Sequence, residues 1–127
     1  MITSIPARAA EIHFGVAGIT PIETARLSAF CSDESPGPAV PPGPCDVTFI
    51  FHDLSGRVYK QSRMTLPPGT GGSVDLRGSE IGTARRGEII PCIRTTIEHN
   101  ELALHELFDS DQGGIVPCFV VESAMLP

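Results

Sequence analysis

Apolar and polar residues alternate with a period of two along most of the chain, and no long stretch repeats its apolar residues at helical spacing. The alternation is clearest in 45–52 (CDVTFIFH) and in 23–31 (ETARLSAFC). Successive side chains of an extended strand point to opposite faces, so Val47, Phe49 and Phe51 fall on one face. This pattern is typical of strands that bury one face in a core.

Turn-forming residues separate about eight such segments. The predicted strands are 12–19, 23–31, 45–52, 57–66, 73–77, 89–98, 101–108 and 115–122. Runs such as PPGTGG (67–72) lie between them, and their glycines and prolines favour reversals of the chain. Pro91 lacks a backbone donor, which predicts a sheet edge or a β-bulge at that point.

The order of these segments favours one all-β domain over residues 1–127. Parallel strands need crossover connections of a dozen or more residues, and most of the loops between these segments are too short to supply them. We therefore predict a single antiparallel β-sandwich of about seven or eight strands with an immunoglobulin-like arrangement. A jelly roll or a barrel is the alternative architecture.

Composition and charge narrow the classes of partner. The 127 residues include 13 glycines, 12 prolines and no tryptophan, and their formal charge is −6. All of the acidic excess lies in 98–127, so this end could attract the basic middle of another copy. Binding to phosphate backbones needs clustered positive charge, so no nucleic-acid partner is predicted. No apolar stretch approaches the roughly 18 residues of a membrane span.

The four cysteines bear on both fold and compartment. None of them shows the C-x-x-C spacing of zinc knuckles or redox sites. Cys31 and Cys45 flank the proline-rich loop 32–44, which a disulfide between them could close; buried free thiols are the alternative. The first twenty residues do not resemble a signal peptide, so we expect either an extracytoplasmic protein whose leader is missing or a cytoplasmic protein.

No pattern of residues indicates an active site. His13, His52, His99 and His105 form no pair at i,i+2 or i,i+4, so they are interpreted as separate imidazoles rather than metal ligands. We predict no catalytic residue, no cofactor and no metal ligand. A metal-dependent enzyme that uses His52 and His105 with a carboxylate is the less favoured alternative.

Four segments of the chain resemble small uncharacterised bacterial β-sandwich domains of the immunoglobulin or fibronectin type. They are ITPIETARLSAF (19–30), PCDVTFIFHDLSGRVYK (44–60), MTLPPGTGGSVDLRG (64–78) and ALHELFDSDQGG (103–114). Such domains are usually secreted or linked to a cell surface. The resemblance implies an immunoglobulin-like sandwich and carries over no catalytic residue.

These observations favour a non-enzymatic interaction or structural module that binds a protein partner or another copy of itself. Loops on rigid sandwiches often carry recognition, and a loop stiffened by proline loses little entropy on binding. The predicted interaction surface is Phe30 with Pro36, Pro38, Pro41 and Pro42 of the loop. The alternative is a small-molecule or carbohydrate-binding domain, for which Tyr59 is the one obvious aromatic platform.

Overall fold

A computed structural model describes residues 8–33, 43–82, 87–97 and 115–123 of the chain. The predicted strand 101–108 and most of the proline-rich loop lie outside these residues. The elements are β1 (Arg8–His13), β2 (Ala17–Ile19), β3 (Glu23–Cys31), β4 (Cys45–His52), β5 (Val58–Leu66), β6 (Gly71–Arg77), a 3₁₀ turn (Gly78–Ile81), β7 (Gly87–Ile97) and β8 (Ile115–Ser123). The predicted strands 23–31 and 45–52 coincide with β3 and β4.

The described strands form two antiparallel sheets. The five-stranded sheet has the order β1-β7-β4-β5, with β2 paired to β7 beyond the end of β1, and the three-stranded sheet has the order β6-β3-β8. The predicted antiparallel β-sandwich is therefore confirmed, and the two sheets do not close into a barrel. Among the described strands, β8 pairs with β3 and β1 pairs with β7.

The core lies between the facing sides of the two sheets. Val47, Phe49 and Phe51 of β4 are fully buried, as the alternation predicts, and Leu27 and Leu76 pack against them from the other sheet. Burial of large apolar side chains is the main favourable term in folding, at about 1.5–3 kcal/mol for each such side chain. The period-two stripe of each strand therefore decides which face turns inward.

The predicted strand 12–19 is interrupted in the structure. His13 of β1 lies opposite Cys92, and Ala17 of β2 lies opposite Ile89, so residues 14–16 face only two residues of β7. Pro91 lies at this break and has no N–H for the neighbouring strand, whereas its carbonyl accepts a hydrogen bond from the N–H of Phe14 at 3.0 Å. Strand β7 therefore has partners on both sides of Pro91: β4 on one side and the segment around Phe14 on the other. Pro91 marks an irregularity in the pairing and not an edge of the sheet.

Hydrogen bonds to the charged form lower the pKa of five carboxyl groups at the surface. In four of them the main donor is a side chain: Arg94 for Glu11, Arg63 for Asp46, Ser55 for Asp53 and Arg26 for Asp75. In the fifth, Glu80, the main donor is the backbone N–H of Arg77. Asp53 holds the β4–β5 turn, since one of its oxygens accepts bonds from both Ser55 and Arg57. The ionised form of each carboxyl is therefore the form that fits the fold.

We expect the free energy of unfolding to be level between about pH 5 and pH 8 and to fall as the pH drops below that range. A carboxyl with a lowered folded-state pKa stabilises the fold above its ordinary pKa, which is 3.8 for Asp and 4.5 for Glu. That contribution is lost as the folded-state group becomes protonated. Denaturant unfolding at a series of pH values measures the slope, and Asp75→Asn should flatten it. Stability that rises on acidification would contradict this account.

Candidate functional site

The outer face of the three-stranded sheet changes from apolar at one end to charged at the other. Residues directly opposite each other on β6, β3 and β8 form its rows: Gly71–Phe30–Val116, then Ser73–Ser28–Cys118, then Asp75–Arg26–Val120, then Arg77–Thr24–Glu122. Small residues on β6 leave a trough of about 480 Å³ beside the larger side chains. We call this surface the outer β3 face.

Three exposed apolar side chains of regular strands lie on the outer β3 face. Phe30 is 44% exposed, Val116 is 41% exposed and Val120 is 39% exposed. Phe30 and Val116 lie opposite each other near one end of the sheet, and Val120 lies in the middle of β8. Strand side chains with this much apolar surface are usually turned inward or covered. Arg26 and Asp75 form an ion pair beside them, with the arginine Nε 2.9 Å from a carboxylate oxygen.

The predicted interaction residues separate into two groups. Phe30 lies on the outer β3 face, opposite the core face of β3, where the alternation places it. Pro36, Pro38, Pro41 and Pro42 lie outside the described residues. The residues that sequence reasoning missed are those of β6 and β8, because only strand pairing brings them beside Phe30.

A disulfide joins Cys31 at the end of β3 to Cys45 at the start of β4, with the two Cα atoms 5.8 Å apart. It therefore links the three-stranded sheet to the five-stranded sheet across the base of the proline-rich loop. Cys92 and Cys118 are free, the first buried and the second exposed. Burial and the nearby Glu11 carboxylate raise the pKa of the Cys92 thiol to about 11, so this thiol is not an activated nucleophile.

The structure places Tyr59 differently from the sequence prediction. The pairing of β4 with β5 shifts between Phe51 and His52, which lie opposite Lys60 and Val58 and leave Tyr59 as an extra residue. Such a bulge changes the direction of a side chain, and Tyr59 packs against the core cluster instead of standing on the outer face. It does not form an exposed platform of the kind that carbohydrate binding would use.

Two histidines predicted to be separate come together on the outer face of the five-stranded sheet. The ring centroids of His13 and His52 are 5.9 Å apart. His13 also lies directly opposite Cys92, and Glu11 follows on the same face of β1. Glu11 and His13 are two positions apart, so in a strand their side chains point to the same face. This spacing of two metal-ligating residue types is the sequence signal that could have revealed the cluster. His99 and His105 lie outside the described residues.

Comparisons with known proteins give little further information. No protein-family model matches the chain, and no curated protein matches it. One solved structure with a similar shape belongs to work titled "Bacillus endospore appendages form a novel family of disulfide-linked pili". The match covers 74% of this chain and 89% of that one, with 20% sequence identity and a TM-score of 0.27. A likeness at this level supports no argument about fold or function.

A membrane-spanning helix is absent from the described part of the chain, where no helix has the necessary length and apolar character.

Proposed function

We propose that the protein is a non-enzymatic structural module that associates with a second copy of itself through the outer β3 face. The observation that carries the proposal is that Phe30, Val116 and Val120 are exposed apolar residues of regular strands on one face of the sheet. An exposed apolar patch rimmed by polar residues is typical of a protein–protein contact. Arg26 and Asp75 beside this cluster would form part of such a rim.

The occupant that fits best is the same face of another copy. A twofold axis along β3 would place β6 of one copy opposite β8 of the other, row by row. Val116 of one copy would then face Gly71 of the other, which has no side chain and is flanked by the Phe30 ring. Glu122 would face Arg77 in the same way at the charged end. On the axis Phe30 would meet Phe30 and Arg26 would meet Arg26, with each arginine paired to the Asp75 carboxylate of its own copy. One rotation thus brings apolar residues together at one end and opposite charges together at the other.

The Cys31–Cys45 disulfide supports a location outside the cytoplasm for this module. Structural disulfides form and persist mainly in oxidising compartments such as the periplasm or the cell exterior. This agrees with the kind of bacterial domain that the sequence resembles.

Glu122→Arg is expected to weaken self-association several-fold. The twofold arrangement places Glu122 of one copy opposite Arg77 of the other, so the substitution would set two cations face to face. The effect is modest because single charges at the rim of a contact contribute little each. Sedimentation equilibrium at low salt measures the dissociation constant.

The exchanged pair, Glu122→Arg with Arg77→Glu, is the matched control, because it restores opposite charges across the contact in this arrangement. It should associate about as strongly as the wild type. An exchanged pair that is folded and still associates as weakly as Glu122→Arg alone would refute the twofold arrangement.

Val116→Lys is expected to weaken self-association by about tenfold or more, since the new ammonium group would lie unpaired in the contact opposite Gly71. Leu54→Lys provides the control, because Leu54 is an exposed apolar residue in the β4–β5 turn. Sedimentation equilibrium measures the dissociation constant of each variant. An unchanged constant for Val116→Lys would remove this face as the contact.

A further inference from the structure

Three different metal-ligating groups meet on the outer face of the five-stranded sheet, on the opposite side of the sandwich from the outer β3 face. Glu11 and His13 of β1 approach Cys92 of β7, and their donor atoms all lie within 4.8 Å of one another. The His13 Nε2 atom is 3.3 Å from a Glu11 carboxylate oxygen and 4.0 Å from the Cys92 sulfur. These contacts bring one carboxylate, one imidazole and one thiol to a common point.

We infer that Glu11, His13 and Cys92 are ligands of a zinc ion, which leaves the fourth coordination position to water. This metal site goes beyond the proposed self-association and does not depend on it. Thiolate, imidazole and carboxylate are the three side-chain ligands that zinc uses in proteins. Calcium and magnesium prefer oxygen ligands alone, so the presence of a sulfur and a nitrogen excludes them as the preferred ions.

The spacing of the donor atoms suits a tetrahedral ion. Zinc bonds of about 2.0–2.3 Å at tetrahedral angles place neighbouring donors roughly 3.3–3.8 Å apart. The separation between Glu11 and His13 is already in this range, and the separation between His13 and Cys92 exceeds it by a few tenths of an ångström. The donor atoms of Glu11 and Cys92 lie within 4.8 Å of each other, so an inward movement of up to about 1 Å would bring all three onto one ion.

His52 borders the site without being one of the three grouped ligands. Its ring centroid is 5.9 Å from that of His13, and its Nδ1 atom lies 2.8 Å from the carbonyl oxygen of Asp53. A carbonyl oxygen can only accept, so Nδ1 donates this bond and fixes the orientation of the ring.

Arg94 fixes the carboxylate that the site uses. Its guanidinium binds one oxygen of Glu11, while the other oxygen faces His13. Because Arg94 lies directly opposite Glu11 on β7, the ion pair holds the carboxylate over the same two strands that carry the other ligands. A bound ion would therefore link β1 to β7 and should raise the midpoint of thermal unfolding.

Cobalt(II) tests the site, because a cobalt–thiolate bond gives a charge-transfer band in the near ultraviolet and tetrahedral cobalt absorbs strongly in the visible. The titration uses the full chain with its disulfide intact and with Cys118→Ser, which removes the exposed free thiol. We expect both sets of bands, their loss when one equivalent of zinc is added, and a rise in the thermal midpoint with zinc. No charge-transfer band at about 1 mM cobalt, far above the dissociation constants expected of such sites, would overturn the inference.

Variants of the ligands separate this site from chance binding. His13→Gln, in the same Cys118→Ser background, should weaken cobalt affinity more than about 100-fold, and Arg94→Gln should weaken it about 10- to 100-fold. His13 has a side chain that is 51% exposed, so its replacement is well tolerated by the fold. Cys92→Ser should abolish the charge-transfer band; since Cys92 is buried, His13→Gln carries the test if that variant fails to fold. Equal cobalt affinity with and without His13→Gln would overturn the assignment of the ligands.

Discussion

Gly78→Ala is expected to lower the free energy of unfolding by about 3 kcal/mol or more. Gly78 begins the 3₁₀ turn after β6 and packs against the turn between β2 and β3. A Cβ atom at this position would lie 1.8 Å from the carbonyl oxygen of Thr20 and 2.6 Å from its carbonyl carbon. These are backbone atoms, so no side-chain rotation relieves the clash, and one of the two turns must move. Urea unfolding followed by circular dichroism measures the loss.

Gly43→Ala is the matched control for this prediction. A Cβ atom at Gly43 would meet no atom within 4 Å, and its backbone does not have the positive φ that favours glycine. Its effect should stay within about 0.5 kcal/mol, as for surface substitutions that touch nothing. Equal stabilities for the two variants would show that the chain does not approach itself at Gly78 as described.

Replacing both cysteines of the disulfide, as Cys31→Ser with Cys45→Ser, is expected to cost about 2–5 kcal/mol. The bond closes a segment with a sequence separation of 14, for which chain entropy alone accounts for about 3 kcal/mol. Cys31 is also completely buried, so the serine hydroxyl adds the cost of a polar group in the core. Denaturant unfolding of wild type and double variant gives the difference.

A reductant and a second cysteine variant provide the controls. Excess dithiothreitol should lower the free energy of unfolding of the wild-type protein by about 3 kcal/mol, the part of the double variant's loss that comes from chain entropy. The double variant has no bond to reduce, so dithiothreitol should not change its stability. Cys118→Ser should leave stability nearly unchanged, because Cys118 is exposed and free. A wild-type protein whose stability is insensitive to reductant would contradict a stabilising role for the Cys31–Cys45 bond.

The strands could be predicted well from the sequence because their alternation is a local property. β3 and β4 match their predicted ranges, and the apolar stripe of β4, Val47, Phe49 and Phe51, is buried. Ile50, which the alternation places on the opposite face, is buried as well. The interruption between β1 and β2 was not predicted, although Pro91 was recognised as an irregular position. Its effect appears on a neighbouring strand more than seventy residues earlier in the chain, so the sequence near either place does not reveal it.

The candidate sites were less predictable than the strands. Phe30 could be assigned to an outer face from its own strand, but the hollow beside it depends on Gly71 and Ser73 of β6. These residues pair with β3 although β4 and β5 lie between the two strands in the sequence. Tyr59 was predicted on the outer face and packs inward, because the bulge opposite Phe51 and His52 changes the alternation locally. A pattern read along one strand cannot contain an irregularity that arises between two strands.

The amino-acid sequence alone determined the class of this protein: an all-β chain of short strands, each with one apolar face, and two cysteines at the ends of a proline-rich loop. Backbone geometry makes that information local, since neighbouring side chains in a strand must alternate. The tertiary structure decided which strands pair. Strand pairing in turn places the exposed apolar residues around Phe30 together and brings Glu11 and His13 next to Cys92. These sites join residues 40 to 90 positions apart, and their proximity follows from sheet order and register, which depend on the packing of the whole chain.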